Sequence, residues 1–425
     1  MIKIYSFNET SADEIFARND SGADVSGIVS EIIADVRARG DKALFEYCSK
    51  FDKNDLRSLA VSREEKEEAM KLVDQSLIPV LKEAAENIRE FHKNQLRTGF
   101  IKNDKPGIVM GQKILPIEKV GLYVPGGTAA YPSTVLMNAI PAKLAGCRKI
   151  VITTPAGADG RINPAIIASA EIAGVDEIFK IGGAQAIAAL AYGTESVPKV
   201  YKIVGPGNAF VAEAKRQVFG QVSIDMIAGP SEILIVADGK TNPVHAAADM
   251  LSQAEHDKMA SAVMITDSMD FALALQKELD RQVKLLERCE IASASIDNNG
   301  KIIVTDSLDK AIDVANEIAP EHLELLLDNP FDYLGKVESA GSVFLGRYAP
   351  EALGDYFAGA NHTLPTSGTA HFSSPLSVDD FIKKIQYTYY TKDAFLCVAD
   401  DIGKFAETEG LTGHAKSAYS RKDQT

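Results

Sequence analysis

Gln253 and His256 have the residue types and the spacing to hold a divalent metal ion. They lie in a stretch that predicts one helix, with Asn242 as its N-cap and Pro243 at its first helical position. Side chains three residues apart on a helix point the same way, so an amide oxygen and an imidazole nitrogen could bind one ion. A solvated polar face is the simpler interpretation of this helix alone, because His245 falls on the same side.

Glu321 and His322 form a second candidate pair, this time for acid/base chemistry. Histidine titrates near neutral pH, and a carboxylate can deprotonate water that is held close to an electrophile. The pair follows Pro320 at the predicted end of a helix, and a loop with two solvated side chains explains the motif equally well. His362 and His414 also lie in short polar motifs, whereas no cysteine has a histidine nearby in sequence that would activate a thiolate.

The composition describes an ordinary globular protein that does not bind polyanions. The chain has 425 residues, of which 46% are hydrophobic and 24% charged, and a formal net charge of −14. This charge argues against nucleic acid and anionic membranes as partners, and no apolar run approaches the length of a membrane span. Four scattered cysteines without CxxC spacing are typical of reduced thiols, so we expect a cytoplasmic protein.

The segment from residue 120 to residue 237 has the pattern of a parallel sheet. Apolar runs that predict buried strands alternate with alanine-rich helical stretches, and glycine or proline marks the junctions. Ligands of such sheets bind in the crevice at the carboxyl ends of the strands. The usual dinucleotide fingerprint is missing, since its nearest match, Gly205 to Phe210, has phenylalanine in place of the third glycine. Any nucleotide must therefore be held in another way.

A further series of strands and helices follows between residues 238 and 375. It resembles a second α/β unit, completed by the helices before residue 100, so that the middle domain is an insertion. We therefore predict an α/β protein with two Rossmann-like domains on parallel sheets, the second inserted in the first, plus N- and C-terminal helical extensions. The predicted segments are an N-terminal extension (1–20), the first domain in two parts (21–118 and 238–375), the inserted NAD-binding domain (119–237) and a C-terminal tail (376–425).

Several long motifs, in one order along the chain, resemble those of the histidinol dehydrogenase family. The longest runs from Ile224 to Glu232 and continues from Leu251 to His256. The others are Gly121–Gly127, Gly182–Ala186, Val204–Asn208, Ala319–Glu324, Gly354–Tyr356, Asn361–His362 and Glu409–His414. The resemblance covers residues 120 to 414, and the N-terminal third is compatible with the family but less distinctive.

The resemblance implies a zinc-dependent enzyme that oxidises L-histidinol to L-histidine through the aldehyde, in two NAD-linked steps that end histidine biosynthesis. One zinc ion per subunit would be bound by Gln253, His256, Asp355 and His414. NAD would contact Tyr123, Gln185 and Asn208. The implied histidinol contacts are Ser231, Gln253, His256, His322, Asp355, His362, Glu409 and His414.

The resemblance also implies separate catalytic roles for His322 and Glu321, and an active site that two subunits share. His322 would take the hydroxyl proton in the alcohol step, and Glu321 would activate water in the aldehyde step. The tail carries Glu409 and His414 but is too short to bury a core of its own, so a homodimer with shared active sites is implied. Two alternatives stay open. One is a zinc/NAD dehydrogenase of a related amino alcohol, and the other is a non-catalytic homologue.

Overall fold

Two parallel sheets form the framework of the protein. Its computed structural model describes residues 2–18, 24–126 and 130–422. The strands of these residues are β1 (Lys3–Ser6), β2 (Phe100–Lys102), β3 (Ile108–Pro116), β4 (Lys119–Tyr123), β5 (Lys149–Thr154), β6 (Glu177–Lys180), β7 (Lys202–Val204), β8 (Ser223–Ile224), β9 (Glu232–Ala237), β10 (Ser261–Thr266), β11 (Lys301–Val304), β12 (His322–Leu326), β13 (Ser342–Leu345) and β14 (Ile382–Tyr390).

Helices connect these strands, and several begin at the capping residues that the sequence indicates. Asn242 caps its helix by accepting a hydrogen bond from the Val244 backbone at 3.0 Å, and Ser62 forms a capping box with Glu65. The helices of the described residues are α1 (Ala12–Phe16), α2 (Ser26–Arg39), α3 (Asp41–Tyr47), α4 (Arg63–Leu72), α5 (Leu77–His92), α6 (Pro132–Ala145), α7 (Pro164–Ala173), α8 (Gly183–Tyr192), α9 (Ala209–Val218), α10 (Pro243–Ala254), α11 (Met269–Gln282), α12 (Cys289–Asn299), α13 (Leu308–Ile318), α14 (Phe331–Leu334), α15 (Glu351–Tyr356), α16 (Lys392–Leu396), α17 (Ala399–Thr408) and α18 (Thr412–Tyr419). None of these helices is long and apolar enough to cross a membrane.

The two parallel sheets share one strand order. In the five-stranded sheet the order is β6-β5-β4-β7-β8, so the first strand in sequence lies at the centre. In the six-stranded sheet it is β1-β11-β10-β9-β12-β13, which repeats that order around β9 and adds β1 at the edge. All pairings within both sheets are parallel, and helices cover both faces of each. This is the doubly wound arrangement, and the α/β fold class predicted from the sequence is confirmed.

The five-stranded sheet lies between β1 and β9 of the six-stranded sheet in sequence, as an insertion does, but three of the predicted segment assignments differ from the structure. The strand β9, which we assigned to the inserted domain, pairs with β10 and β12 of the six-stranded sheet. The strand β1, which we assigned to an extension, pairs with β11 of the same sheet. The helices α2 to α5 pack on the five-stranded sheet rather than completing the other domain. A buried apolar run predicts a strand, but it does not say which sheet the strand will join.

A second compact unit consists of residues 96–116 and 382–425. In it, β14 pairs with β3 along nine residues and β3 pairs with β2, all antiparallel, and α16 to α18 follow. The predicted tail therefore contains a long strand, and its first residues up to Phe381 belong to the first unit instead. Large apolar side chains of this unit are exposed in the single chain, among them Ile101 at 70% and Phe405 at 69%.

A buried ion pair anchors the turn that follows β7. Lys215 and Asp225 pair with each other, and both side chains are almost fully buried. Lys215 Nζ donates to the Gly205 carbonyl oxygen at 3.0 Å, and the Gly205 N–H donates to Asp225 Oδ2 at 2.7 Å. Gly205 has a φ of +117°, and a Cβ there would lie 2.1 Å from the Tyr123 carbonyl oxygen. The ion pair and the glycine together define the path of this turn.

We expect Lys215→Met to destabilise the protein by about 3–5 kcal/mol, because it leaves the buried Asp225 carboxylate without its cation. Urea denaturation followed by circular dichroism would measure the loss. Arg63→Met is the matched control, since Arg63 forms an exposed pair with Glu67 that contributes about 1 kcal/mol at most. Equal unfolding midpoints for the two variants would contradict the prediction.

Candidate active site

A cleft of about 780 Å³ is lined by residues from both parallel sheets. The five-stranded sheet contributes residues that follow β4 and β7, at the carboxyl ends of the strands. The six-stranded sheet contributes residues just before β9 and at the start of β12, at the amino ends of the strands. The rule that ligands bind at carboxyl ends therefore describes the first sheet only. The size of the cleft is that of a small-molecule site.

Glu321 and His322 lie in this cleft, and the backbone of one residue holds them both. Because β12 pairs with β9, the two side chains come next to Glu232. The Glu232 N–H donates to Glu321 Oε2 at 2.9 Å, and His322 Nδ1 donates to the Glu232 carbonyl oxygen at 3.0 Å. The proton on Nδ1 leaves Nε2 as an acceptor. Nε2 is buried and has no hydrogen-bond partner among the residues that the structure describes.

Burial favours the neutral form of both groups. It lowers the pKa of His322, although the nearby Asp355 carboxylate and the hydrogen bond to Glu232 raise it in part. It raises the pKa of Glu321 well above the usual range, against the hydrogen bond from the Glu232 N–H. The carboxylates of Asp355 and Glu351 raise the pKa of Glu321 further. Burial therefore favours an uncharged imidazole at His322, and positive charge nearby would favour the ionised form of Glu321.

The carboxyl-terminal end of α10 brings Gln253 and His256 to the same cleft. Gln253 is almost fully buried, and its amide nitrogen lies 3.5 Å from His322 Nδ1. Burial lowers the pKa of His256, so its imidazole is neutral and can act as a ligand. The interpretation of these residues as a solvated polar face is therefore wrong for Gln253 and His256. His245 is exposed, as that interpretation predicts.

Asp355 and His362 reach the cleft from α15 and the loop that follows it. Asp355 Oδ1 lies 3.4 Å from His362 Nδ1, and Thr134 Oγ1 lies 3.4 Å from His362 Nε2. Burial by itself would raise the pKa of Asp355. The hydrogen bond from His362 and the charge of His362 lower this pKa, and the net result is a pKa below the usual value. Since Thr134 belongs to α6, His362 also links this loop to the helices of the five-stranded sheet.

Glu351 is a further carboxyl group at this site that the sequence reasoning missed. Its Oε2 accepts from Ser252 Oγ at 3.2 Å, and its Oε1 lies 3.9 Å from His322 Nε2. Burial and the neighbouring Asp355 carboxylate raise the pKa of Glu351 to about 8. Its one sequence signal is its place at the start of a short helix behind Pro350. Glu232 was missed as well, because its backbone rather than its side chain contacts the pair.

These donors suit a divalent metal ion. Ligand atoms of His322, Glu351 and Asp355 all lie within 4.8 Å of one another. Two of them, His322 Nε2 and Glu351 Oε1, are buried without a hydrogen bond in the described part of the chain. Gln253 and His256 border the same cleft with an amide and a neutral imidazole. Buried acceptors of this kind are stabilised by a cation, and nitrogen with oxygen donors fit zinc.

The three predicted NAD contacts lie at two places on the carboxyl edge of the five-stranded sheet. The hydroxyl oxygen of Tyr123 accepts from the Gly183 N–H at 3.0 Å, and the side chain of Gln185 also lies against Gly183. Tyr123 and Gln185 are both buried. Asn208 borders the cleft and caps α9 by accepting from the backbone of Phe210 at 3.1 Å.

Three predicted substrate or metal contacts remain to be located. Ser231 lines the cleft directly before β9. Glu409 and His414 belong to the second compact unit, where Glu409 follows α17 and His414 lies on α18. Both of their side chains are exposed in the single chain. The first unit therefore brings together Gln253, His256 and Asp355 but does not contain the fourth predicted ligand.

The fold and the cleft define an α/β protein with a buried glutamate and histidine pair in a cleft of small-molecule size. A profile of the family described as histidinol dehydrogenase matches residues 17–422. A histidinol dehydrogenase of Clostridium acetobutylicum is 55% identical over 94% of this chain and 93% of its own length. One from Bacillus cereus is 52% identical over 100% of this chain and 96% of its own.

The solved structures agree with the sequence comparisons. The crystal structure of histidinol dehydrogenase from Elizabethkingia anophelis superimposes with a TM-score of 0.93 and 40% identity. It covers 100% of this chain and 98% of its own. The chain therefore belongs to the histidinol dehydrogenase family, and it is an oxidoreductase.

Proposed function

We propose that the protein oxidises L-histidinol to L-histidine through the aldehyde, in two steps that each use NAD. The family supports the substrate, and one observation carries the chemistry. This observation is the buried imidazole of His322, whose Nδ1 donates to the Glu232 carbonyl oxygen and whose Nε2 has no hydrogen-bond partner among the described residues, in a cleft that both sheets line and that also contains Glu321. NAD, when bound, accepts a hydride in each step.

In the alcohol step, His322 acts as the general base. Its Nδ1 is already committed to the Glu232 carbonyl oxygen, so Nε2 is the atom that takes the hydroxyl proton. The imidazolium that forms is stabilised by the nearby carboxylates of Asp355 and Glu351. The hydrogen bond to Glu232 also keeps the ring in one orientation while the proton is transferred.

In the aldehyde step, Glu321 activates water. The Glu232 N–H donates to Oε2 of Glu321, and Oε1 would accept the proton from water. The aldehyde hydrate that results is the species that loses the second hydride. Burial of Glu321 makes it a stronger base than an exposed carboxylate, because its charged form is poorly solvated.

The proposed metal is zinc, held by Gln253, His256 and Asp355 of one subunit and His414 of another. A zinc ion bound there would orient the substrate and lower the pKa of nearby carboxyl groups. The proposed substrate contacts are Ser231, His362 and Glu409 together with His322 and the metal ligands. The proposed NAD contacts are Tyr123, Gln185 and Asn208.

The proposed assembly is a homodimer in which each tail completes the site of its partner. Two of the proposed site residues, Glu409 and His414, lie in the second compact unit and are exposed. The exposed apolar side chains of this unit, such as Ile101 and Phe405, are typical of a surface that a partner covers. A shared site requires the two copies to be related by a two-fold axis.

The first prediction concerns the metal ligands. We expect His256→Asn to lower zinc affinity by more than about tenfold and to lower activity in parallel, because one ligand is lost. His245→Asn, on the exposed face of the same helix, should keep full metal content. Metal content of the purified variants would be measured by atomic emission. Retention of zinc by His256→Asn, with loss from Glu351→Gln, would instead place the metal among His322, Glu351 and Asp355.

The second prediction separates the two half-reactions. Glu321→Gln keeps the shape of the side chain but removes the base, so oxidation of the aldehyde should fall by on the order of a hundredfold or more. Oxidation of the alcohol should fall far less, because that step consumes no water. Stopped-flow detection of NADH from each substrate would test this, with the exposed Glu317→Gln as control. Equal losses in both half-reactions would refute the role of Glu321.

The third prediction concerns the shared site. Mixed dimers of His256→Asn and His414→Asn should each contain one intact site and one site with both defects. If the two inactive variants are unfolded and re-formed together, about half of the dimers are mixed, and activity should recover to about a quarter of the wild-type value. If each tail serves its own subunit, every site keeps one defect and the mixture stays inactive.

A further inference from the structure

Helix α6 contains a proline in its interior, and this leaves one backbone oxygen of the helix without its usual partner. In an α-helix each carbonyl oxygen accepts a hydrogen bond from the N–H four residues later in the chain. Pro141 has no N–H, so the carbonyl oxygen of Met137 lacks this donor. Met137 is fully buried, and a buried carbonyl oxygen without a hydrogen bond is costly. The chain must therefore supply a donor from outside the helix.

The side chain of Asn361 is that donor. Asn361 lies in the loop after α15, and its Nδ2 donates to the Met137 carbonyl oxygen at 2.7 Å. Its Oδ1 accepts from the Thr363 N–H at 2.9 Å. A carbonyl group can only accept and a backbone N–H can only donate, so these two contacts fix the orientation of the amide. Asn361 is itself buried, and both polar atoms of its side chain are used.

Thr363 binds the same helix. Its Oγ1 donates to Asn138 Oδ1 at 3.0 Å, and its carbonyl oxygen accepts from the Leu376 N–H at 2.9 Å. Asn138 follows Met137 directly on α6, and both residues are fully buried. The loop therefore contacts α6 through the residue before His362 and the residue after it.

His362 contacts α6 as well. Its Nε2 lies 3.4 Å from Thr134 Oγ1, and its Nδ1 lies 3.4 Å from Asp355 Oδ1. Thr134 precedes Met137 by three residues and Asn138 by four, so all three lie on one face of α6. The loop is thus bound to one face of a helix that packs on the five-stranded sheet, and His362 borders the cleft from this loop.

We propose that Asn361 is a positioning residue, which replaces the backbone donor that Pro141 removes from α6 and thereby fixes His362 in the cleft. The proline leaves an acceptor on the helix, and the amide of Asn361 binds the loop to it. His362 is one of the proposed histidinol contacts, so the effect of Asn361 on catalysis rests on the proposed function. The hydrogen bond itself is independent of the identity of the substrate.

Asn361→Ala removes the donor and tests the effect on the site. The KM for histidinol should rise by about tenfold, because His362 is no longer held where it contacts the substrate. The KM for NAD and kcat should stay within about twofold of the wild-type values, since no group that contacts NAD or transfers a proton is changed. A loss of folded protein alone would lower the rate and leave both KM values unchanged. Steady-state measurement of NADH formation would give these constants.

Asn316→Ala is the matched control. The amide of Asn316 also joins two backbone segments, since its Nδ2 donates to the Lys336 carbonyl oxygen at 2.8 Å and its Oδ1 accepts from the Glu338 N–H at 2.8 Å. Asn316 lies on α13, outside the described residues that line the candidate active site. This variant should be less stable than the wild type but should keep the wild-type KM for histidinol.

A second experiment tests the hydrogen bond without reference to any substrate. Pro141→Ala restores an N–H to α6 and gives the Met137 carbonyl oxygen a donor within the helix. This donor matters most when Asn361 is absent, so Pro141→Ala should raise the melting temperature by about 1–3 °C more in Asn361→Ala than in the wild type. In Asn316→Ala its effect should equal that in the wild type. Thermal unfolding of the intact protein, followed by circular dichroism, would measure these shifts.

Asn361→Ser provides the same tests if the alanine variant does not fold. Its hydroxyl oxygen can still accept from the Thr363 N–H, so the local turn of the loop is retained. The serine side chain is too short to reach the Met137 carbonyl oxygen. The KM for histidinol, and the effect of Pro141→Ala on the melting temperature, should therefore change as in Asn361→Ala.

The outcomes separate this inference from the proposed function. An equal effect of Pro141→Ala with and without Asn361 would overturn the inference, whatever the substrate. An unchanged KM for histidinol in Asn361→Ala would overturn the positioning role, even if the two residues are coupled in stability. If the wild type does not oxidise histidinol, the proposed function fails, and the melting temperatures still decide whether Asn361 replaces the missing donor.

Discussion

The candidate site depends on the parallel pairing of β9 with β12. This pairing places the backbone of Glu232 beside Glu321 and His322, where its N–H and carbonyl oxygen contact one side chain each. A backbone group in a sheet cannot rotate away, so it fixes the tautomer of the imidazole and the position of the carboxyl group at the same time. Substitution of the Glu232 side chain leaves both of these contacts available.

The two parallel sheets have the same strand order, but they line the cleft with opposite edges. The five-stranded sheet provides glycine-rich turns at its carboxyl edge, where a nucleotide can approach the backbone. The six-stranded sheet provides the ionisable groups at its amino edge, where α10 also ends. One sheet thus suits cofactor binding and the other suits proton transfer, and the reaction requires both functions within one cleft.

The site concentrates carboxyl groups whose side chains are largely shielded from water. Glu321 and Asp355 line the cleft, Glu351 lies beside His322 and Asp355, and burial raises the pKa of Glu321 and Glu351. Such a cluster is costly without a cation, and this is the physical reason that a divalent metal suits it. The buried carboxylate of Asp225 is neutralised in another way, because Lys215 of the same chain pairs with it.

The sequence by itself determined the local features of this protein. Asn242 and Pro243 start α10, and Gln253 lies in its last turn, whereas His256 follows the end of the helix at Ala254. Apolar runs identified most of the strands, and the motifs identified the family. Only the tertiary structure decided that β9 joins β12, that α2 to α5 pack on the other sheet, and that Glu351 faces His322. Parallel strands pair through backbone groups of residues that are far apart in the chain. Because these groups are the same for nearly every residue type, the sequence pattern cannot specify which strands pair.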